Sequence, residues 1–193
     1  VRVSYEDQGE PITLNAGDCV LQPPEIRHRV LESSEGLEVI EISCPAAHET
    51  WSDPGMQLPT GRNSPEREFN GQRFVWHVAT KAVWQAARFK GFEQRDLGIG
   101  AATNGLAGAR VLRSRGDAVP NERGGAATNA HAGEFAFCFV LSGTTVLEST
   151  ALGTHDLNSG DSCVLPARTA FAIQPTPGLE LLEVTLPAEL PGV

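Results

Sequence analysis

Five histidines and four cysteines are the residues of this chain best suited to bind a metal or to move a proton near neutral pH. His28 follows Pro24-Glu25-Ile26-Arg27, and His131 lies within Asn129-Ala130-His131-Ala132-Gly133-Glu134. His48 and His77 fall in or beside a polar stretch, and His155 falls in the turn-like Gly153-Thr154-His155-Asp156; all three read as solvated or packing residues. A transition metal needs three or more N, O or S side chains converging on it, so no single histidine is a site. Cys19, Cys44, Cys138 and Cys163 form no Cys-x-x-Cys pair and no zinc-ribbon spacing. Most of them sit in apolar, strand-like segments, which suits buried free thiols and a cytoplasmic location. There is no Gly-x-Ser-x-Gly elbow, P-loop or His-Glu-x-x-His, so nucleophilic serine or cysteine chemistry has no motif behind it.

The elements that must position these groups announce themselves as a repeat. Asn15-Ala16-Gly17-Asp18-Cys19-Val20-Leu21-Gln22-Pro23 returns as Asn158-Ser159-Gly160-Asp161-Ser162-Cys163-Val164-Leu165-Pro166. Gly36-Leu37-Glu38-Val39-Ile40-Glu41-Ile42 returns as Gly178-Leu179-Glu180-Leu181-Leu182-Glu183-Val184, one residue out of step with the first pair. A duplicated unit is implied. Aligning Gly17 with Gly160 places Val1 opposite Thr144, just after the Leu141-Ser142-Gly143 turn, so the first copy is expected to be truncated at its N-terminus.

Short alternating runs separated by Gly, Pro and Asn predict an all-β chain. In the first copy, strands are expected over 1–5, 12–14, 19–21 and 37–42. In the second they are expected over 95–99, 107–113, 134–141, 145–148, 163–165, 171–173 and 179–186. Residues 79–87 have the composition of a short helical turn. Residues 47–73 lack periodicity, which divides the chain into 1–46, a linker over 47–91 and a second unit over 92–193. Trp51, Trp76 and Trp84 are expected to anchor that linker across the body.

Gly17, Pro23 and His28 stand at the intervals of the second signature of the cupin superfamily, which that segment resembles; Glu25 replaces its usual second glycine. Asn129 to Gly143 resembles the first signature, with His131 at the second histidine position, Asn129 in place of the first and Ala136 in place of the glutamate. Phe171 occupies the remaining ligand position. The resemblance implies a double-stranded β-helix, or jelly roll, present twice: a bicupin similar to uncharacterised bacterial cupin-domain proteins. It implies a divalent metal (Fe, Mn, Zn or Ni) on His28. Asn129, His131 and Glu134 are candidates for an irregular second site, the alternative being a second barrel filled with apolar bulk around a remnant His131. Glu25 and Arg27 either orient a ligand beside His28 or form a surface ion pair.

The expected function is that of a small-molecule cupin with its metal in the first barrel, as a dioxygenase-like or isomerase-type enzyme. Its alternative is a metal-free binding, sensing or structural module. The formal net charge of −9 argues against a nucleic-acid surface, and no apolar run reaches the ~20 residues of a membrane helix. If Ala136, Cys138 and Val140 face inward, Phe135, Phe137 and Phe139 form an apolar stripe on the other face, and a homodimer is expected.

Overall fold

The computed structural model describes residues 1–116 and 129–192. Contacts divide the chain into a unit of residues Val1–Ala79 and a unit of Thr80–Val193. Among the described residues all but one four-residue helix and one 3-10 turn of the regular structure is strand, as the alternating runs predicted.

In the first unit the strands are β1 (Arg2–Tyr5), β2 (Ile12–Thr13), β3 (Cys19–Leu21), β4 (His28–Glu32), β5 (Glu68–Phe69), β6 (Gln72–Arg73) and β7 (Val75–His77). β1 lies between β2 and β4, and β3 pairs with β7. Val3, Tyr5, Ile12, Ile26 and Phe69 form the core, with Val1, Leu14, Val20 and Phe74 packed on it. Each such fully buried apolar side chain contributes on the order of 1.5–3 kcal/mol.

Contacts group residues 47–79 with this unit, where the sequence reading placed a linker from 47. The reason is charge pairing that hydropathy does not display. Glu6 and Asp7 are 3% and 5% exposed. Arg67 bonds Glu6 at 2.8 Å and Asp7 at 2.6 Å, and Arg62 bonds Asp7 at 2.9 Å. Backbone bonds from Gly9 N–H to the Arg62 carbonyl and from Ser64 N–H to the Asp7 carbonyl lay the same segment along the β1–β2 turn. β5 and β6 are joined by Asn70-Gly71 with φ of 50° and 76°, the left-handed pair of a tight hairpin turn.

The second unit contains β8 (Gln85–Ala86), β9 (Phe92–Asp96), α1 (Ile99–Ala102), β10 (Gly108–Ser114), β11 (Phe135–Ser142), β12 (Thr144–Ser149), β13 (Gly153–Asn158), β14 (Ser162–Val164), β15 (Phe171–Ile173) and β16 (Glu180–Leu186). A six-stranded sheet, β14-β11-β16-β10-β9-β8, and a three-stranded sheet, β13-β12-β15, share one core. Leu112, Ala136, Cys138, Val140 and Leu181 come from the larger sheet, and Leu147, Phe171 and Ile173 from the smaller. This is a two-layered jelly-roll arrangement.

Several boundaries differ from the sequence reading. The strand expected over 95–99 starts at Phe92, and Ile99–Ala102 turns into α1 behind Gly98. The 79–87 segment holds one 3-10 turn, Ala79–Lys81, and then β8. His155 lies in β13, an exposed edge strand whose polar sequence has no buried face to reveal it. Trp51 is 79% exposed and anchors nothing. Trp84 does anchor, with Arg113 stacked 3.8 Å from its ring centroid.

The repeat holds at the level of topology. The order β2-β1-β4 matches β13-β12-β15. Glu25, at the position usually held by glycine, has φ of 65°, and its counterpart Arg168 has φ of 59°. That left-handed turn explains why the position favours glycine. The copies part where ladder partners differ. β14 pairs with β11, whereas β3 pairs with β7. Residues 37–42, whose counterpart is β16, are not a strand, and Leu37, Val39, Ile40 and Ile42 stay 42–68% exposed.

Candidate functional site

His28 opens β4, directly opposite Tyr5 of β1. Its ring is exposed and stacks on Tyr5 with centroids 5.7 Å apart, and its Nδ1 lies 3.5 Å from the Ile26 carbonyl. The Tyr5 hydroxyl accepts a hydrogen bond from Gln22 Nε2 at 2.9 Å. Burial pushes the Tyr5 hydroxyl pKa up against that bond, so the phenol stays protonated. Arg27, beside His28, is held by Glu6 and Asp53 and is not directed to a ligand; Glu25 takes no part in that pairing.

In the second unit the remnant positions are committed elsewhere. His131 is 1% exposed, and its Nε2–H donates to the Leu165 carbonyl at 2.9 Å, which leaves Nδ1 as the bare acceptor. That Nδ1 has no hydrogen-bond partner, and Gly133 closes in front of it: a Cβ on Gly133 would lie 3.6 Å away. Asn129 forms a backbone bridge with Phe171, and its amide donates to the same carbonyl at 3.4 Å. Glu134 is exposed. Ala136 and Phe171, at the other two positions, are 0% and 2% exposed within the apolar cluster. The expected Asn129, His131 and Glu134 set is therefore not assembled as a site.

The described residues around His28 and His131 do not fit a metal. Among the described residues no three His, Cys, Asp or Glu side chains converge, around His28 or around His131.

A polar row that sequence reasoning missed crosses the interior face of the larger sheet. Cys163, Cys138, Glu183, Arg110 and Asp96 are direct cross-strand neighbours on β14, β11, β16, β10 and β9, so all five point to the same face. Glu183 is wholly buried; Arg88 bonds one carboxylate oxygen, and Arg110 approaches the other at 3.8 Å without a hydrogen bond. Arg110 is itself held by the Ala188 carbonyl at 2.9 Å and Glu189 at 3.0 Å. Glu183 was legible only as one of two glutamates within an apolar run.

Cys138 is buried and Cys163 half-buried, and none of the four cysteines is in a disulfide. Cys44, which lies outside those strand-like segments, is exposed, and Cys19 is half-buried. The alternation on β11 is as expected: Ala136, Cys138 and Val140 are at most 2% exposed, while Phe135, Phe137 and Phe139 are half-buried on the opposite face.

A second feature is a cavity of about 410 Å³, open to solvent and lined by Thr144, Thr145, Val146, Asp156, Leu157, Asn158 and Thr176, of which Thr144, Asp156 and Asn158 are exposed. Its wall is formed by β12, β13 and the turn after β15. Threonine, aspartate and asparagine give it hydroxyl, carboxylate and amide groups.

No family model and no curated protein matches the chain. Among solved structures it is similar to KdgF from Halomonas sp., at 18% identity over 58% of this chain and 94% of that one, with a TM-score of 0.44. An RmlC-like cupin from Shewanella frigidimarina is 18% identical over 58% of this chain and 89% of that one, with a TM-score of 0.45. A mutant of Bacillus subtilis oxalate decarboxylase OxdC is 14% identical over 57% of this chain and 28% of that one, with a TM-score of 0.44. The class of the fold, an all-β jelly roll of two sheets, rests on the strand order and shared core of the second unit. No described helix is long and apolar enough to cross a membrane.

Proposed function

We propose that this chain is a metal-independent small-molecule-binding protein of the bicupin type, with its ligand in the polar cavity of the second unit. The observation that carries this reading is the fate of the four ligand positions. Asn129 and His131 are hydrogen-bonded to backbone, and Ala136 and Phe171 are core, so among the described residues these positions offer no converging donor set. The cavity at β12 and β13 is open to solvent, and its hydroxyl, carboxylate and amide lining suits a hydroxylated or otherwise hydrogen-bonding molecule. The half-buried Phe135, Phe137 and Phe139 stripe supports a homodimer as part of the same proposal.

A second reading, a metal-dependent oxygenase or isomerase using His28, draws support from the exposed imidazole at the first residue of β4. The discriminating experiment is a thermal-shift screen of the full chain against small polyols and saccharides, and separately against Mn, Fe, Zn and Ni. The binding reading expects a shift with one of the organic molecules that is lost in Thr144→Val/Asp156→Ala. A metal shift lost in His28→Ala, with no organic ligand found, would replace it with the enzyme reading.

A further inference from the structure

Cys138 and Cys163 face each other across β11 and β14. The flanking bonds Leu165 N–H to Ala136 O and Val140 N–H to Asp161 O mark the pairs two residues away on either side as hydrogen-bonded pairs, so Cys138 and Cys163 form one too. Their Cα atoms are then about 5.5 Å apart, inside the range that a disulfide bridges. Closing the bond needs the Cβ atoms to approach by roughly 1.5 Å, from the ~5.5 Å of a hydrogen-bonded cross-strand pair to the ~4 Å of a disulfide. β14 can supply that movement, because it is a three-residue strand at the edge of its sheet.

The two thiols are chemically unequal. Cys138 is 2% exposed and directly across from the buried carboxylate of Glu183. The neighbouring Cys163 thiol, burial and the Glu183 charge all push its pKa up. The Cys138 thiol lowers the pKa of Cys163 against a smaller opposing effect of burial, and Cys163 is only partly buried, on the edge strand. The duplicated strand lacks this chemistry, since Val20 faces Trp76 at the corresponding place.

We propose that Cys138 and Cys163 are a modification site, a dithiol that hydroperoxides oxidise to a disulfide, with Cys163 attacking and Cys138 resolving. In the first step the Cys163 thiolate attacks one oxygen of hydrogen peroxide; the O–O bond breaks, Cys163 becomes a sulfenic acid, and the other oxygen leaves as water with the thiol proton. In the second, Cys138 sulfur attacks the Cys163 sulfur; the S–O bond breaks and hydroxide leaves as water with the Cys138 proton. Two electrons pass from the thiols to the peroxide, and two waters form.

The test uses the full chain carrying Cys19→Ser and Cys44→Ser, exposed to hydrogen peroxide at neutral pH, with intact mass and peptide mapping as readouts and circular dichroism as the folding check. The expected result is loss of two hydrogens, a Cys138–Cys163 cross-linked peptide, and full reversal by dithiothreitol. Adding Cys138→Ser should leave a Cys163 sulfenic acid that dimedone traps; adding Cys163→Ser should leave Cys138 unmodified in folded protein. Differential alkylation of the unmutated chain before and after peroxide gives the same answer without any variant. Oxygen addition without a cross-link, or equal labelling of Cys138 and Cys163, would overturn the proposal.

Discussion

Replacing Arg88 by methionine strips the buried Glu183 of its closest cation. Glu183 is wholly buried, and the remaining cation, Arg110, stands 3.8 Å away and is already bonded to Ala188 and Glu189. Removing one partner of a buried pair costs about 3–5 kcal/mol, because the other charge stays desolvated. The Arg88 side chain is 30% exposed, which places the loss near the lower bound. Its guanidinium also lies 4.5 Å from the Phe89 ring centroid, a contact worth roughly 0.5 kcal/mol. A total of about 3.5 kcal/mol follows. With a urea dependence of about 2 kcal/mol per molar, the unfolding midpoint of the second unit should fall by roughly 1.75 M. The paired variant Arg88→Met/Glu183→Leu, which removes both charges, should recover most of that loss. If Arg88→Met costs less than about 1 kcal/mol, or if the paired variant is worse than the single one, the polar row is not a desolvated ion pair and the reasoning fails.

Glu6 and Asp7 have folded-state pKa values below the usual carboxylate range: burial works to raise them, but the arginine and threonine hydrogen bonds outweigh it. Their contribution is present above the unfolded pKa of about 4 and is lost as pH falls through the depressed folded values, so the first unit should lose stability below about pH 4. Urea midpoints at pH 6 and pH 3 check this, and a midpoint unchanged or higher at pH 3 contradicts it. Glu25→Gly relieves a left-handed residue costing about 1–2 kcal/mol and adds about 0.5–1 kcal/mol of chain entropy, a net stabilisation near 0.5–1 kcal/mol readable as a raised Tm. Leu112→Ala, at a wholly buried position in the second core, should cost about 2–5 kcal/mol in the same assay.

The β class, the repeat and most strand positions could be read from the sequence because alternation and turn residues act locally. The 171–173 strand and the inward set Ala136, Cys138 and Val140 are direct examples. What could not be read depends on partners distant in sequence. Residues 37–42 and 179–186 are near copies, yet only the second becomes a strand, since only it lies between two ladder partners, β11 and β10. Arg62 and Arg67 look like solvated charges until Glu6 and Asp7 are seen beside them. Asn70-Gly71 was a readable hairpin signal, hidden inside a stretch taken for linker. At the site, the spacing around His28 singled out the residue but not its strand: β4 (His28–Glu32) was not among the expected strands, and the spacing could not show which side chains accompany it. The row from Cys163 to Asp96 exists only through strand register, which a single sequence does not display.

The central claim is that the second barrel is organised around a buried ion pair and an apolar cluster, with no metal. The most direct measurement is the metal content of the full chain, purified from cells replete in Fe, Mn, Zn and Ni and compared with His28→Ala and His131→Ala. The account predicts well under one metal per chain in the parent and no change in either variant. One tightly held metal per chain that disappears in His131→Ala would contradict it.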